Sequence, residues 1–287
     1  MPRIAYVNGR YVRHQDACVH VEDRGYQFAD GVYEVIYVAD GALVDMEPHR
    51  LRLDRSLREL RIDPPCSASA LDVIVRRVVA ANRLRRGIVY LQATRGVAPR
   101  EHAFPAALRT SLVVTARSLK APDEAAARNG VAVVTRPDLR WKRPDIKSVA
   151  LLPNILAKQE AREAGAQEAW LVGDGDVITE GSSTNAWIID GDGTLLTHPA
   201  DHAILNGVVR LATLRLARER GIKVVERPFT RAEALAAREA FLTSTTSFVM
   251  PVVAIDGRPV GNGDSGSTTL ALREAYLAHL AASAAPR

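Results

Sequence analysis

Apolar and polar positions alternate along the chain in short blocks that switch between strand and helix spacing. Residues 4–7 and 11–13 flank Asn8-Gly9, a dipeptide that tolerates positive φ and predicts a hairpin turn. An apolar, β-branched run over 32–38 predicts a strand, which Asp40-Gly41 turns into 42–46. Residues 49–60 place Leu51, Leu53, Leu57 and Leu60 among arginines and acids, as an amphipathic helix does. A second helix is predicted over 71–84, then strands over 88–94 and 108–116.

Polar, Pro-containing sequence over 117–129 separates this half from the next, and the boundary is placed near Ala121-Pro122. The second half opens with a strand over 131–135, an irregular stretch to Lys147 and a helix over 149–164. Short strands follow over 169–172, 177–179 and 186–190, with turns at Asp174-Gly175 and Asp192-Gly193. After Asn206-Gly207 come a helix over 208–220, strands at 224–225, 240–243 and 252–255, and a final helix over 268–282. Both halves mix helices with hairpin-linked strands. The fold class is therefore α/β (α+β), with a smaller N-terminal domain, 1–120, and a larger C-terminal one, 121–287.

Composition narrows the function classes. With 47% apolar and 25% charged residues the 287-residue chain is ordinary globular protein. A net charge of +5 permits an acidic partner, but acids interleave the bases nearly everywhere, and a nucleic-acid face needs clustered Lys/Arg. Cys18 and Cys66 form neither a disulfide framework nor a metal-ligand spacing. The N-terminus lacks an apolar signal core, and no apolar run approaches the about 20 residues of a membrane helix. A cytoplasmic protein with no metal, no nucleic acid and no membrane partner is expected.

Phosphate-loop, nucleophile-elbow, zinc-helix and dinucleotide fingerprints are all missing. Several polar segments remain. Asp145-Ile146-Lys147-Ser148 precedes a predicted helix, where a lysine can act as a nucleophile and form a Schiff base. Of the 38 basic residues only five are lysines, and arginine cannot form a stable imine, so a lysine kept here is informative; Lys142 and Lys158 stay open on this ground alone. Thr179-Glu180-Gly181-Ser182-Ser183-Thr184-Asn185 combines a carboxylate with hydroxyls ahead of a buried strand. Asn206 can cap the helix that follows, whose free first-turn amides form an anion site. Thr243-Ser244-Thr245-Thr246-Ser247 adds five consecutive hydroxyls suited to phosphate oxygens. In the first half stand Tyr33, Arg52 and Arg100-Glu101-His102; with extended backbone, Arg100 and His102 emerge on one face and can clamp a carboxylate.

Taken in order, these segments resemble the class IV, fold-type IV aminotransferases that depend on pyridoxal 5'-phosphate, and within them the D-amino-acid (D-alanine) transaminases. The resemblance spans nearly the whole chain: Asp23-Arg24-Gly25 with Phe28, Asp30-Gly31-Val32-Tyr33-Glu34, Asp145-Ile146-Lys147-Ser148, Thr179-Glu180-Gly181-Ser182-Ser183, Leu205-Asn206-Gly207 and Ser244-Thr245-Thr246. It implies two α/β domains with the cofactor between them. It makes Lys147 the Schiff-base lysine and proton shuttle and Glu180 the partner of the pyridine nitrogen. Arg52, Ser183, Leu205, the amides of Val208 and Val209, and Thr245 complete the cofactor set, most of them on the phosphate. Val209 departs from the family, which often carries a hydroxyl there; the amide remains. Tyr33, Arg100 and His102 resemble the α-carboxylate trap, the last two given by the neighbouring subunit of a homodimer. The implied reaction moves the amino group of a D-amino acid to a 2-oxo acid such as 2-oxoglutarate, giving D-glutamate. The alternatives are an L-branched-chain transaminase or an aminodeoxychorismate lyase of the same fold.

Overall fold

In the computed structural model, which describes residues 3–121 and 124–284, Asn8 and Gly9 take φ of 45° and 98° and join β1 (Ile4–Val7) to β2 (Arg10–Arg13). The chain continues through α1 (Arg24–Phe28), β3 (Gly31–Ala39), β4 (Ala42–Leu43), α2 (Met46–Glu59), α3 (Ala68–Ala81), β5 (Gly87–Thr94) and β6 (Ser111–Ser118). These strands form one antiparallel sheet in the order β2-β1-β6-β5-β3-β4.

Two expectations shift here. The strand predicted over 42–46 stops at Leu43, and α2 begins three residues before 49. Asp45 adopts a left-handed φ of 51° that breaks the strand, and Pro48 fits the first helical turn, where its missing N–H is no loss. Burying Leu53 and Leu57 of α2 with Val75 and Val78 of α3 against Val32, Ile36 and Val89 makes the core of this part. Each such leucine contributes about 2 kcal/mol.

The remaining elements are α4 (Glu124–Asn129), β7 (Val131–Pro137), α5 (Leu152–Glu163), β8 (Glu168–Val172), β9 (Val177–Gly181), β10 (Asn185–Ile189), β11 (Leu195–Thr197), α6 (Val208–Glu219), β12 (Val224–Glu226), β13 (Phe229–Thr230), α7 (Arg231–Leu235), β14 (Glu239–Ser244), β15 (Phe248–Ile255), β16 (Arg258–Pro259) and α8 (Ser267–Ala284). Their sheet runs β12-β11-β10-β14-β15-β7-β8-β9-β13, with β16 on β15. It is mixed: β7 lies parallel to both β8 and β15, and β11 to β12. Trp170, Ile178, Ile188, Phe229, Leu242 and Val252 fill its core.

By contacts the chain forms two units. The first holds the chain to Ala121, together with Ile146–Ala150 and the chain from Leu280; the second holds the rest. Of the Ala121-Pro122 junction expected from sequence, Pro122 lies outside the described residues. The helix expected from 149 begins at Leu152, with Pro153 in its first turn. Residues 147–149 cannot start it because their backbone pairs with β3: Tyr33 N donates to Lys147 O and Val149 N to Gly31 O, each at 3.0 Å.

Candidate functional site

In the first unit the chemistry follows from two periodicities. Along β3 the side chains alternate, so Val32, Glu34 and Ile36 share the face covered by α2, and Tyr33 lies on the other. On α2, His49, Arg52, Leu53, Ser56 and Leu57 recur at helical spacing and make one face. Glu34 is fully buried and therefore needs partners. Arg52 supplies two bonds, Nε to Oε1 at 2.8 Å and Nη2 to Oε2 at 2.7 Å, and His49 Nδ1 lies 2.7 Å from Oε2. Against burial, which raises it, Arg52 and His49 pull the Glu34 carboxyl down to about 2. Burial lowers the His49 value below the usual histidine range, with Glu34 opposing, so His49 stands as neutral imidazole.

Lys147 enters this unit from the bridge with β3. Its amide donates to Ser56 Oγ at 3.3 Å, and its Nζ sits 4.2 Å from the Tyr33 ring centroid. The helix face at 49, 52 and 56 thus touches the carboxylate and the lysine segment alike. Glu34, His49 and Ser56 were missed in the sequence; the signal was polar residues at core spacing within a leucine helix.

Arg100 and His102 do not stand on extended backbone. The segment bends at Arg100 and again at His102 and Ala103. Both side chains nonetheless converge on the Phe28 ring, Arg100 Cζ at 4.7 Å from its centroid and the His102 ring at 5.4 Å.

In the second unit, Glu180 stands within β9 rather than in the loop predicted after 179, because the β8–β9 ladder continues to the Trp170–Gly181 pair. Its buried carboxylate receives Asn185 Nδ2 at 3.0 Å, the Leu205 amide at 3.1 and 3.2 Å, and Arg140 Nη1. Arg140 also gives Nη2 to Asp138 Oδ2 at 2.7 Å and to Ala203 O at 3.2 Å. Burial pushes the Glu180 carboxyl up, while Arg140 and the Leu205 N–H pull the other way. Arg140 was missed, since nothing in the sequence distinguishes one arginine among so many.

Asn206 does not cap α6. Its Oδ1 accepts from Arg210 Nη1 at 3.3 Å, and Gly207 is the cap residue, with no side chain to fill the helix end. A Cβ on Gly207 would meet Asn185 Oδ1 at 2.2 Å, so Asn185 holds this turn and Glu180 together. The first-turn residues Val208 and Val209 are buried, their amides facing no capping side chain. Thr245 is half-buried in the β14–β15 turn, but Thr243, another of the five hydroxyls, is spent in the core, accepting Trp187 Nε1 at 2.9 Å. Ser183 Oγ donates to buried Glu168 Oε2 at 2.9 Å, and Ser182 Oγ donates to its Oε1.

The model of aminotransferase class IV matches residues 31–255. The chain belongs to aminotransferase class IV. The D-alanine aminotransferase of Bacillus licheniformis is 42% identical to it over 262 residues, covering 91% of this chain and 92% of that one. That of Listeria monocytogenes serotype 4b is 41% identical, covering 94% of each. Among solved structures, the branched-chain amino acid aminotransferase of Thermoproteus uzoniensis with norvaline is similar at a TM-score of 0.87 and 27% identity, covering 98% and 96% of the two chains. The branched-chain amino acid aminotransferase of Escherichia coli reaches 0.89 at 27% identity, covering 97% and 94%.

The residues of this class IV chain fit pyridoxal 5'-phosphate. A helix end whose cap residue is a glycine with no side-chain cap suits a phosphate dianion. A buried carboxylate suits a ring nitrogen, and a lysine amine suits an aldehyde. Among the described residues no helix is long and apolar enough to cross a membrane, and no group of three or more His, Cys, Asp or Glu could hold a metal ion.

Proposed function

We propose that this chain is a cytoplasmic, homodimeric D-amino-acid aminotransferase of the D-alanine class, moving an amino group to a 2-oxo acid such as 2-oxoglutarate. The observation that carries this reading is the convergence of Arg100 and His102 on one aromatic ring. It occurs in a chain about 40% identical to D-alanine aminotransferases over most of its length.

When bound, pyridoxal 5'-phosphate supplies an electron sink for the bonds at the substrate α-carbon. Lys147 Nζ would take the proton from that carbon and serve as the proton shuttle between substrate and cofactor. Glu180 would hold a proton on the pyridine nitrogen, with Asn185 and the Leu205 amide fixing its carboxylate. Arg52, the amides of Val208 and Val209, and Thr245 would hold the phosphate; Ser183 would belong to the same cofactor set and Leu205 would pack against the ring. Glu34 holds Arg52 by both of its oxygens, so that the guanidinium is oriented before any ligand arrives. Tyr33, with Arg100 and His102 of the neighbouring subunit, takes the substrate α-carboxylate. An L-branched-chain activity is favoured less, because the solved structures bearing that name are alike in fold at lower identity.

The test is a screen of D- and L-amino acids against the holoenzyme, followed by loss of the bound cofactor's visible absorbance. D-alanine should convert it and L-leucine should not, and Lys147→Ala should abolish turnover, by at least about a thousandfold. Conversion by L-leucine alone would replace the D-amino-acid reading with the branched-chain one.

A further inference from the structure

Asp23-Arg24-Gly25 and Asp30 carry no role in the reading above, yet Arg24 is 3% exposed. Its guanidinium donates Nε to Asp30 Oδ2 at 2.8 Å and Nη1 to the Glu101 carbonyl. Nη2 reaches the His102 carbonyl at 3.3 Å, and Nη1 the Ala103 carbonyl at 3.5 Å. Three consecutive carbonyls of one irregular segment therefore turn toward a single buried cation.

The anchor beneath it is equally built. Asp30 also accepts Arg95 Nε at 2.7 Å and Nη2 at 3.0 Å, and Arg95 donates further to the carbonyls of Arg61 and Leu60, each at 2.7 Å. Against burial, Arg95 and then Arg24 hold the Asp30 carboxyl below its usual range. Above Arg24 lies the Phe28 ring, with Arg24 Cζ 4.8 Å and Arg100 Cζ 4.7 Å from its centroid, and the His102 ring at 5.4 Å.

We propose that Arg24 is a positioning residue for α-carboxylate recognition: gathering the carbonyls of Glu101 to Ala103 onto one fork, it holds Arg100 and His102 over Phe28 in the clamping arrangement. The inference rests on the assignment of Arg100 and His102 to the substrate carboxylate. A segment without strand or helix bonds has no backbone ladder to order it, so the ordering must come from a side chain. Only a planar, five-donor guanidinium can serve Asp30 and several carbonyls at once; an ammonium at the same place is a point charge without the fork.

Steady-state kinetics of the holoenzyme with D-alanine and 2-oxoglutarate test this in Arg24→Lys, Arg100→Ala and the double variant. Arg24→Lys should raise KM for D-alanine about tenfold, with kcat changed by less than about twofold and the visible cofactor absorbance kept. Arg100→Ala should raise KM at least as much. Adding Arg24→Lys to it should then raise KM by less than about threefold, because most of what Arg24 positions is gone. If Arg100→Ala raises KM and Arg24→Lys does not, the inference is overturned while the carboxylate assignment stands. The same holds if the two effects multiply in full, as a purely structural role demands. Unchanged KM in Arg100→Ala overturns both. Should Arg24→Lys fail to fold, Phe28→Leu, which keeps apolar volume but removes the ring, must raise KM for D-alanine in the same way; unchanged KM there overturns the inference.

Discussion

Glu34 of the first unit and Glu180 of the second are both buried carboxylates beside an arginine, and they shift in opposite directions. Burial raises both. Arg52 gives Glu34 two parallel bonds, and His49 gives a third; the carboxyl falls to about 2. Arg140 gives Glu180 one nitrogen and keeps its Nε and Nη2 for Asp138, whose charge also raises Glu180. The difference lies in how an arginine is shared. Two parallel bonds from one guanidinium hold Glu34 as an anion, whereas Arg140, which also serves Asp138, leaves the Glu180 carboxyl raised.

The strongest way to break this comparison is Glu34→Gln. It removes the carboxylate that Arg52 and buried His49 share, and removing one side of a buried pair costs about 3 to 5 kcal/mol. Thermal unfolding should show a large drop in midpoint; a change within about 0.5 kcal/mol would mean that Glu34 is not the anion assigned here. Glu180→Gln should cost less, about 1 to 3 kcal/mol, because Asp138 still pairs Arg140 and an amide can still accept from Leu205 N. Its main loss should be in kcat, and equal midpoint losses in the two variants would erase the contrast.

Acid titration sharpens it with the smallest effect. The folded values of His49 and Glu34 are both lowered, so both contributions are complete at high pH and disappear as pH falls. That of His49 begins to go below its ordinary 6.5, and that of Glu34 between 4.5 and about 2. Glu180 is raised, so its contribution has the opposite sign, present below 4.5 and lost as pH rises. Thermal midpoints followed from about pH 8 to about pH 3 should fall through both ranges in the native chain. The steep limb below 4.5 should flatten in Glu34→Gln and persist in Glu180→Gln.

The first hairpin, β3, α3 and α6 were legible within a few residues, because their signals are local: a turn dipeptide, a β-branched run, leucines at helical spacing. Lys147 was legible as a motif, its segment's membership of the first unit was not. Residues 149 and 150 read like a helix start, and only the pairing of 147–149 with β3, more than a hundred positions away, forbids it. Asn206 shows the same limit, a good cap by type whose oxygen is turned to Arg210 by the fold.

By itself the sequence determined the family, the mixed α/β class and the residue types available for chemistry, since these depend on composition, periodicity and motif order. Tertiary structure alone decided which charges are partnered. It set Glu34 between Arg52 and His49, divided Arg140 between two acids, and gathered three carbonyls on Arg24. Burial makes an unpaired charge expensive, and the groups that meet that need come from distant parts of the chain.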